Sequence, residues 1–108
     1  MSFSQLKKYD VNQKVLEALS DAQSRTILFS IVKEGKTATE LSEKYRIPLS
    51  SVYKKITDLE EIALVKVVRW ELSDSGKRFK VYKSRISKAD ISIKKPEPVI
   101  TLTPNQET

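Results

Sequence analysis

Residues 37–59, TATELSEKYRIPLSSVYKKITDL, constrain this chain more than any other stretch. Thr37 and Glu40 have the spacing of a capping box, in which the threonine oxygen accepts from the Glu40 amide and the glutamate reaches back. Ala38, Leu41 and Tyr45 then share one helical face. The small Ala38 lets a neighbouring helix come close. Pro48 disfavours helical geometry at the residue before it, so the chain must turn at Ile47. Ile47 and Leu49 are expected to plug the angle. Ser50 is the expected N-cap of a second helix with a narrow buried seam of Val52, Ile56, Leu59 and Ala63. Ser51, Lys54, Lys55 and Asp58 face away from that seam, and Tyr53 and Thr57 border it. The unit is two short helices joined by a tight apolar turn.

The flanks extend the pattern. Residues 1–10 read as a polar arm, and Val11, Val15, Leu16 and Leu19 fall at helical spacing. Ser20 with Gln23 suggests a capping box for a helix that runs to about Glu34. That helix should bury Ile27, Leu28, Ile31 and Val32 and turn Gln23, Ser24 and Arg25 outward. Gly35 is expected to supply a left-handed stop. After Ala63 the period changes. LVKVVRWEL (64–72) and FKVYKSRI (79–86) are β-branched and aromatic, and Ser73-Asp74-Ser75-Gly76 between them has turn composition, so a β-hairpin is predicted. The alternation in its first strand is imperfect. Val65 and Val67 share one phase and Val68, Trp70 and Leu72 the other, as a bulge or two-sided burial would produce. Ile91 and Ile93 alternate like one short strand, Val99, Ile100 and Leu102 less clearly, and residues 94–108, with Pro96, Pro98 and Pro104, read as a tail.

Composition narrows the chemistry. A length of 108 residues suits one domain. The chain holds no cysteine and no histidine, which removes disulfides, thiolate metal sites and the commonest general base. The acids are scattered, and no nucleophile–base pair or phosphate-binding glycine loop is visible, so no enzyme activity, metal or cofactor is expected. No apolar run approaches the ~20 residues that span a bilayer, and the N-terminus lacks an apolar signal core. A cytoplasmic protein is expected. The chain has 20 basic and 14 acidic residues, a formal charge of +6. Nine basic against five acidic residues lie in 50–85, so most of the excess sits in the second helix and the hairpin. Such a surface attracts polyanions, nucleic acid first.

The segments LSDAQSRTIL (19–28), TATELSEKYRIPLSSVYKKITDLEEIALV (37–65) and GKRFKVYKS (76–84) resemble winged helix-turn-helix transcription regulators of the ArsR/MarR-like kind, in the small form common in archaea. The resemblance covers roughly 19–86. It implies an α+β winged helix-turn-helix over 11–86: a three-helix core and a β-hairpin wing, with an extra N-terminal helical segment and a C-terminal extension, 87–108, for dimerisation or free movement. The cysteine and histidine sites of the family's metal sensors are missing, so metal sensing does not carry over. What carries over is binding of double-stranded DNA. The recognition helix, 50–62, would enter the major groove, and the basic wing, 73–80, would lie on phosphate or in the minor groove. Candidate contacts are Ser50, Ser51, Tyr53, Lys54, Lys55 and Thr57 on the helix, Lys77, Arg78 and Lys80 on the wing, and Arg25, which matches the family's Ser-Arg pair. A salt bridge to a nearby carboxylate is the competing role for Arg25. Trp70 is expected either to fill the space between hairpin and helices or to meet a partner chain. No arginine, asparagine or glutamine lies in 50–59, so base reading should be modest and backbone charge and DNA shape should matter more. Related regulators pair through terminal elements, so a homodimer is expected. The alternative is a winged helix that serves protein interaction inside a larger assembly, with Trp70 and the tail as the contact.

Overall fold

A computed structural model describes residues 3–106, with side chains from Val11 onward. In chain order the elements are α1 (Phe3–Ser20), α2 (Ala22–Ser30), α3 (Ala38–Tyr45), α4 (Leu49–Glu61), β1 (Val65–Leu72), β2 (Arg78–Ser84), β3 (Ile86–Ser92) and β4 (Val99–Pro104). The described residues are thus mixed α+β, four helices and two antiparallel hairpins. No helix among the described residues is long and apolar enough to cross a membrane.

The α1 helix starts at Phe3, well before Val11. Residues 3–10 contain no glycine or proline and include leucine, lysine and glutamine, so helical propensity extends the element beyond its apolar stripe. Val15 and Leu19 are buried, but Val11 is exposed. Because α1 runs through Ser20, the cap of α2 falls on Asp21 and not on Ser20 with Gln23. The Asp21 carboxylate accepts from the Ser24 amide at 2.9 Å and from the Ser24 hydroxyl at 2.8 Å. Ser24 is therefore turned inward and buried, against the sequence expectation. The Ser20 hydroxyl instead donates back to the Glu17 carbonyl.

The α2 helix ends at Ser30, not near Glu34, with Ile31 in a non-helical conformation. Gly35 is not left-handed either; Gly76 is the one glycine with positive φ. The chain between α2 and α3 runs instead alongside β2. Lys36 and Tyr82 exchange backbone hydrogen bonds of 3.0 and 2.9 Å, and the Ser84 amide donates to the Ile31 carbonyl at 2.9 Å. A Cβ built on Gly35 would lie 2.8 Å from Val81 Cγ1 and 3.2 Å from the Tyr82 carbonyl oxygen. Close backbone approach is what position 35 requires.

The capping box at Thr37 is present in both directions, 3.1 Å from the Glu40 amide to the threonine oxygen and 3.0 Å from the Thr37 amide to the Glu40 carboxylate. The end of α3 is less legible. Arg46 is left-handed, φ 54°, without the glycine or asparagine that usually marks this position. Ser42 holds the turn: its carbonyl accepts from the Ile47 amide, and its hydroxyl donates to the Ile47 carbonyl at 2.6 Å. Ile47 is buried as expected, whereas Leu49 is exposed. Pro48, not Ser50, is the N-cap of α4, and no side chain caps this end. Val52, Ile56 and Leu59 form the buried seam. Ala63 leaves it, exposed and left-handed at φ 60°.

The imperfect alternation in β1 has a single cause. The register with β2 shifts between Val67 and Arg69. Val67 pairs with Tyr82 and Trp70 with Lys80. The extra residue, Val68, therefore brings Val67, Trp70 and Leu72 onto one face despite their spacing. Val65, Tyr82 and Ile86 join the helical residues in one core.

The segment read as a tail is half of a second hairpin. The β3–β4 ladder runs from Ile86 opposite Pro104 to Ser92 opposite Val99. Ala89, Ile100 and Leu102 pack, partly buried, on the common core. The prolines fit: Pro96 and Pro98 lie in the connecting loop, and Pro104 ends β4, where a missing N–H breaks little of the ladder. Asn105 ties the strand down. Its side-chain amide donates to the carbonyls of Val32 (2.7 Å) and Ser84 (2.9 Å), and its backbone amide donates to Arg85 (2.8 Å).

Candidate nucleic-acid interface

Outside its buried seam, α4 presents Ser50, Tyr53, Lys54 and Thr57 to solvent, with Ser51 half-buried. The first amides of the helix are uncapped, because Pro48 has no side-chain hydrogen bond to offer. Unpaired N–H groups and the positive end of the helix dipole favour an anion there. Lys54 is well exposed, and its distance to Asp58, 3.8 Å, marks a weak, water-screened pair.

Lys55 has a different role from the one its sequence position suggests. Its Nζ lies 2.7 Å from Asp21 Oδ2, and its side chain is three-quarters covered. The hydrogen bond from Lys55, helped by the Ser24 hydroxyl and amide, lowers the Asp21 carboxyl to about 2. Lys55 therefore braces α4 against the start of α2. Arg25 is also engaged inside the molecule, though not with a carboxylate: its Nη1 donates to the Leu19 carbonyl at 2.8 Å, near the C-terminus of α1. Neither side chain lines the cleft that brings Tyr53, Thr57, Arg78 and Lys80 together.

That cleft lies between α4 and the β1–β2 hairpin and holds about 290 Å³. Tyr53, Thr57 and Glu60 line it from α4, and Trp70, Arg78, Lys80 and Tyr82 from the hairpin. Trp70 does not fill the core; it is 49% exposed. The bulge explains its position, since Val67 takes the inner place on the same face and Trp70 falls one pair further out. The Arg78 guanidinium lies over the indole at 4.5 Å and the Lys80 ammonium at 5.5 Å. Cations held over an aromatic face lose little hydration at such an open site and keep donors available at their edges. Tyr82 is buried where the cleft meets the core, and burial, with Glu60 and Tyr53 nearby, pushes its hydroxyl above the ordinary tyrosine value.

Lys77 sits at the hairpin tip. Its carbonyl accepts from the Ser73 amide at 2.8 Å, its amide donates to the Ser73 hydroxyl at 3.1 Å, and Gly76 takes φ 84° to close the turn. Its side chain is exposed and makes no ion pair among the described residues.

Of the ten candidate residues, Tyr53, Thr57, Arg78 and Lys80 meet in one cleft. Ser50, Ser51 and Lys54 belong to the N-terminal half of α4, Lys77 to the hairpin tip, and Lys55 and Arg25 to internal braces. Glu60 and Tyr82 also line the cleft, although no local sequence signal marks them, and Trp70 joins them. The bulge assigns the face of Trp70, and only the strand register reveals it. No group of three or more possible metal ligands occurs among the described residues. No known protein-family model matches the sequence, and no curated protein is significantly similar to it.

Proposed function

We propose that this chain is a winged helix-turn-helix protein that binds double-stranded DNA and regulates transcription. In this reading α3 and α4 are the helix-turn-helix, α4 is the recognition helix, and β1–β2 is the wing. The observation that carries the proposal is the shared cleft: the open face of α4 and the most basic hairpin of the chain border one groove, so a phosphate backbone seated between them meets both. Lys54 and the uncapped amides at Leu49 to Ser51 would hold phosphates at one side, and Lys77, Arg78 and Lys80 at the other. Ser50, Ser51 and Thr57 would supply short, permissive base contacts, and Tyr53 a hydroxyl donor. The helix offers no bidentate base reader, so sequence preference would be broad, supplemented by DNA shape.

The chain would act as a homodimer. Ile91, Ile93 and Val99 leave aliphatic surface exposed on β3–β4, and Val11 does so on α1. Two copies would set their recognition helices roughly 34 Å apart, one turn of DNA, and favour a pseudo-palindromic site.

Fluorescence anisotropy with blunt random duplexes at two salt concentrations tests the DNA reading. Binding that weakens steeply with salt is the expected result. Failure of every duplex to bind at low salt would refute it. Light scattering at tens of micromolar should give a mass near two chains, and a single-chain mass would remove the dimer.

A further inference from the structure

The cleft carries more aromatic surface than a fully paired duplex can use. Phosphates are met by cations, and the edges of stacked pairs by hydrogen-bond groups. A π-face finds its complement in a base that has left the stack. Trp70, the only tryptophan of the chain, stands half exposed on the cleft wall, and Tyr53, 44% exposed, stands on the α4 wall. Both rings lie outside the hydrophobic core.

The cleft also holds charge of both signs. Arg78 and Lys80 lie over Trp70, whereas Glu60 lies close enough to the buried Tyr82 to raise its hydroxyl. A phosphate is attracted by Arg78 and Lys80 and repelled by Glu60. The Glu60 carboxylate and the Thr57 hydroxyl suit an uncharged group that carries N–H donors, such as the exocyclic amino group of a base. An unpaired nucleotide offers a partner to each, anionic phosphates for the cations and a flat amino-bearing ring for Glu60 and Thr57.

We propose that the cleft between α4 and β1–β2 binds an unpaired nucleobase where a DNA duplex ends or opens, with the base stacked among Trp70 and Tyr53 and its phosphates held by Arg78 and Lys80. This rests on the DNA reading above and names the form of DNA preferred: duplex adjoining a single strand. Arg78 suits both tasks, because a guanidinium stacked on an indole still directs N–H donors from its edge toward phosphate oxygens.

The test compares one duplex in two forms, blunt and with a short single-stranded overhang, at the same salt concentration. Anisotropy reports affinity, and the single tryptophan reports stacking through its own emission. The overhang form should bind about tenfold more tightly, within the range for stacking one base on an aromatic side chain, and should quench Trp70 more strongly than the blunt form. In Trp70→Ala the ratio of the two affinities should fall to about one, whereas Trp70→Phe, which keeps a π-face, should preserve most of it. Circular dichroism confirms that each variant is folded. Equal binding of both forms with unchanged emission overturns this proposal and leaves duplex binding standing. An overhang preference that survives Trp70→Ala also overturns it. If neither form binds, this proposal and the DNA reading fall together. Trp70 emission that ignores DNA but responds to a protein partner assigns the cleft to protein and overturns it as well.

Discussion

The two hairpins share a plan and differ in what they expose. Each is an antiparallel pair with one register shift, between Val67 and Arg69 in the first and between Ile86 and Lys88 in the second. Residues 65–84 carry six basic and two acidic side chains, and residues 86–104 carry three and two. The first hairpin shows solvent a tryptophan flanked by cations; the second shows Ile91, Ile93 and Val99. Their anchors differ as well. Val65, Val81 and Tyr82 are buried along β1–β2, and Lys36 pairs with Tyr82 from outside. In β3–β4 full burial is confined to Ile86 at the base, where Asn105 adds its clamp. The backbone plan is thus shared and the exposed side chains differ: one hairpin shows a basic, aromatic face and the other isolated aliphatic residues.

Three measurements test this contrast, and a fourth probes the helices beside it. The largest effect should come from a matched pair of valines. Val81 is fully buried and Val99 is 64% exposed. Val81→Ala should cost about 2 kcal/mol in urea unfolding, for two methyl groups and the void they leave. Val99→Ala should change stability by less than about 0.5 kcal/mol. Equal losses would mean that the second hairpin is as deeply anchored as the first.

Charge removal at each tip comes next. Lys77→Ala with Arg78→Ala should lower the logarithmic salt dependence of duplex binding by about 1.8, at ~0.9 per phosphate contact. Lys94→Ala with Lys95→Ala, in the loop of the second hairpin, removes the same charge and should leave the slope unchanged. Similar slopes for the two double variants would show that overall charge, rather than the first hairpin, governs binding.

A smaller effect is expected at the clamp. Asn105→Ala strips one donor group from two carbonyls and should cost about 1 kcal/mol. Hydrogen exchange should quicken in β3–β4 and stay unchanged in β1–β2. Exchange that quickens in both would show that the hairpins open as one unit.

The smallest effect lies in neither hairpin. The Asp21 carboxyl is lowered from 3.8 to about 2 by Lys55 and Ser24. The folded state therefore binds this proton less readily than the unfolded chain. The resulting stability is present above about pH 4 and is lost as pH falls toward 2. Asp21→Asn should flatten that part of a melting-temperature profile against pH. A profile unchanged by the substitution would place the acid-sensitive contact elsewhere.

Local chemistry made parts of this fold legible. The Thr37 box, the turn at Ile47 and the Val52–Ile56–Leu59 seam each depend on residues a few positions apart, and each is found where the spacing puts it. What escaped depends on distance or register. Asp21 and Lys55 meet across 34 positions, so nothing near Lys55 shows that its charge is already engaged. A one-residue bulge decides the face of Trp70. The β3–β4 ladder closes around a proline-containing loop whose composition resembles that of a free tail, and the asparagine that secures it bonds to a carbonyl 73 positions earlier. The candidate site was half legible for the same reason: residue types pointed to α4 and the hairpin, but only the tertiary arrangement separates the cleft from the braces.

Gly35 gives the cleft a mechanical dimension. It lines neither wall, yet β2 rests on it so closely that a single added methyl would meet Val81 and the Tyr82 backbone. A side chain there would require Val81 to shift and the Tyr82 carbonyl to give by a few tenths of an ångström. The seat of β2 is therefore set by a missing carbon atom, and substitutions at position 35 would act as a caliper of how far that strand can yield while every residue that lines the cleft stays the same.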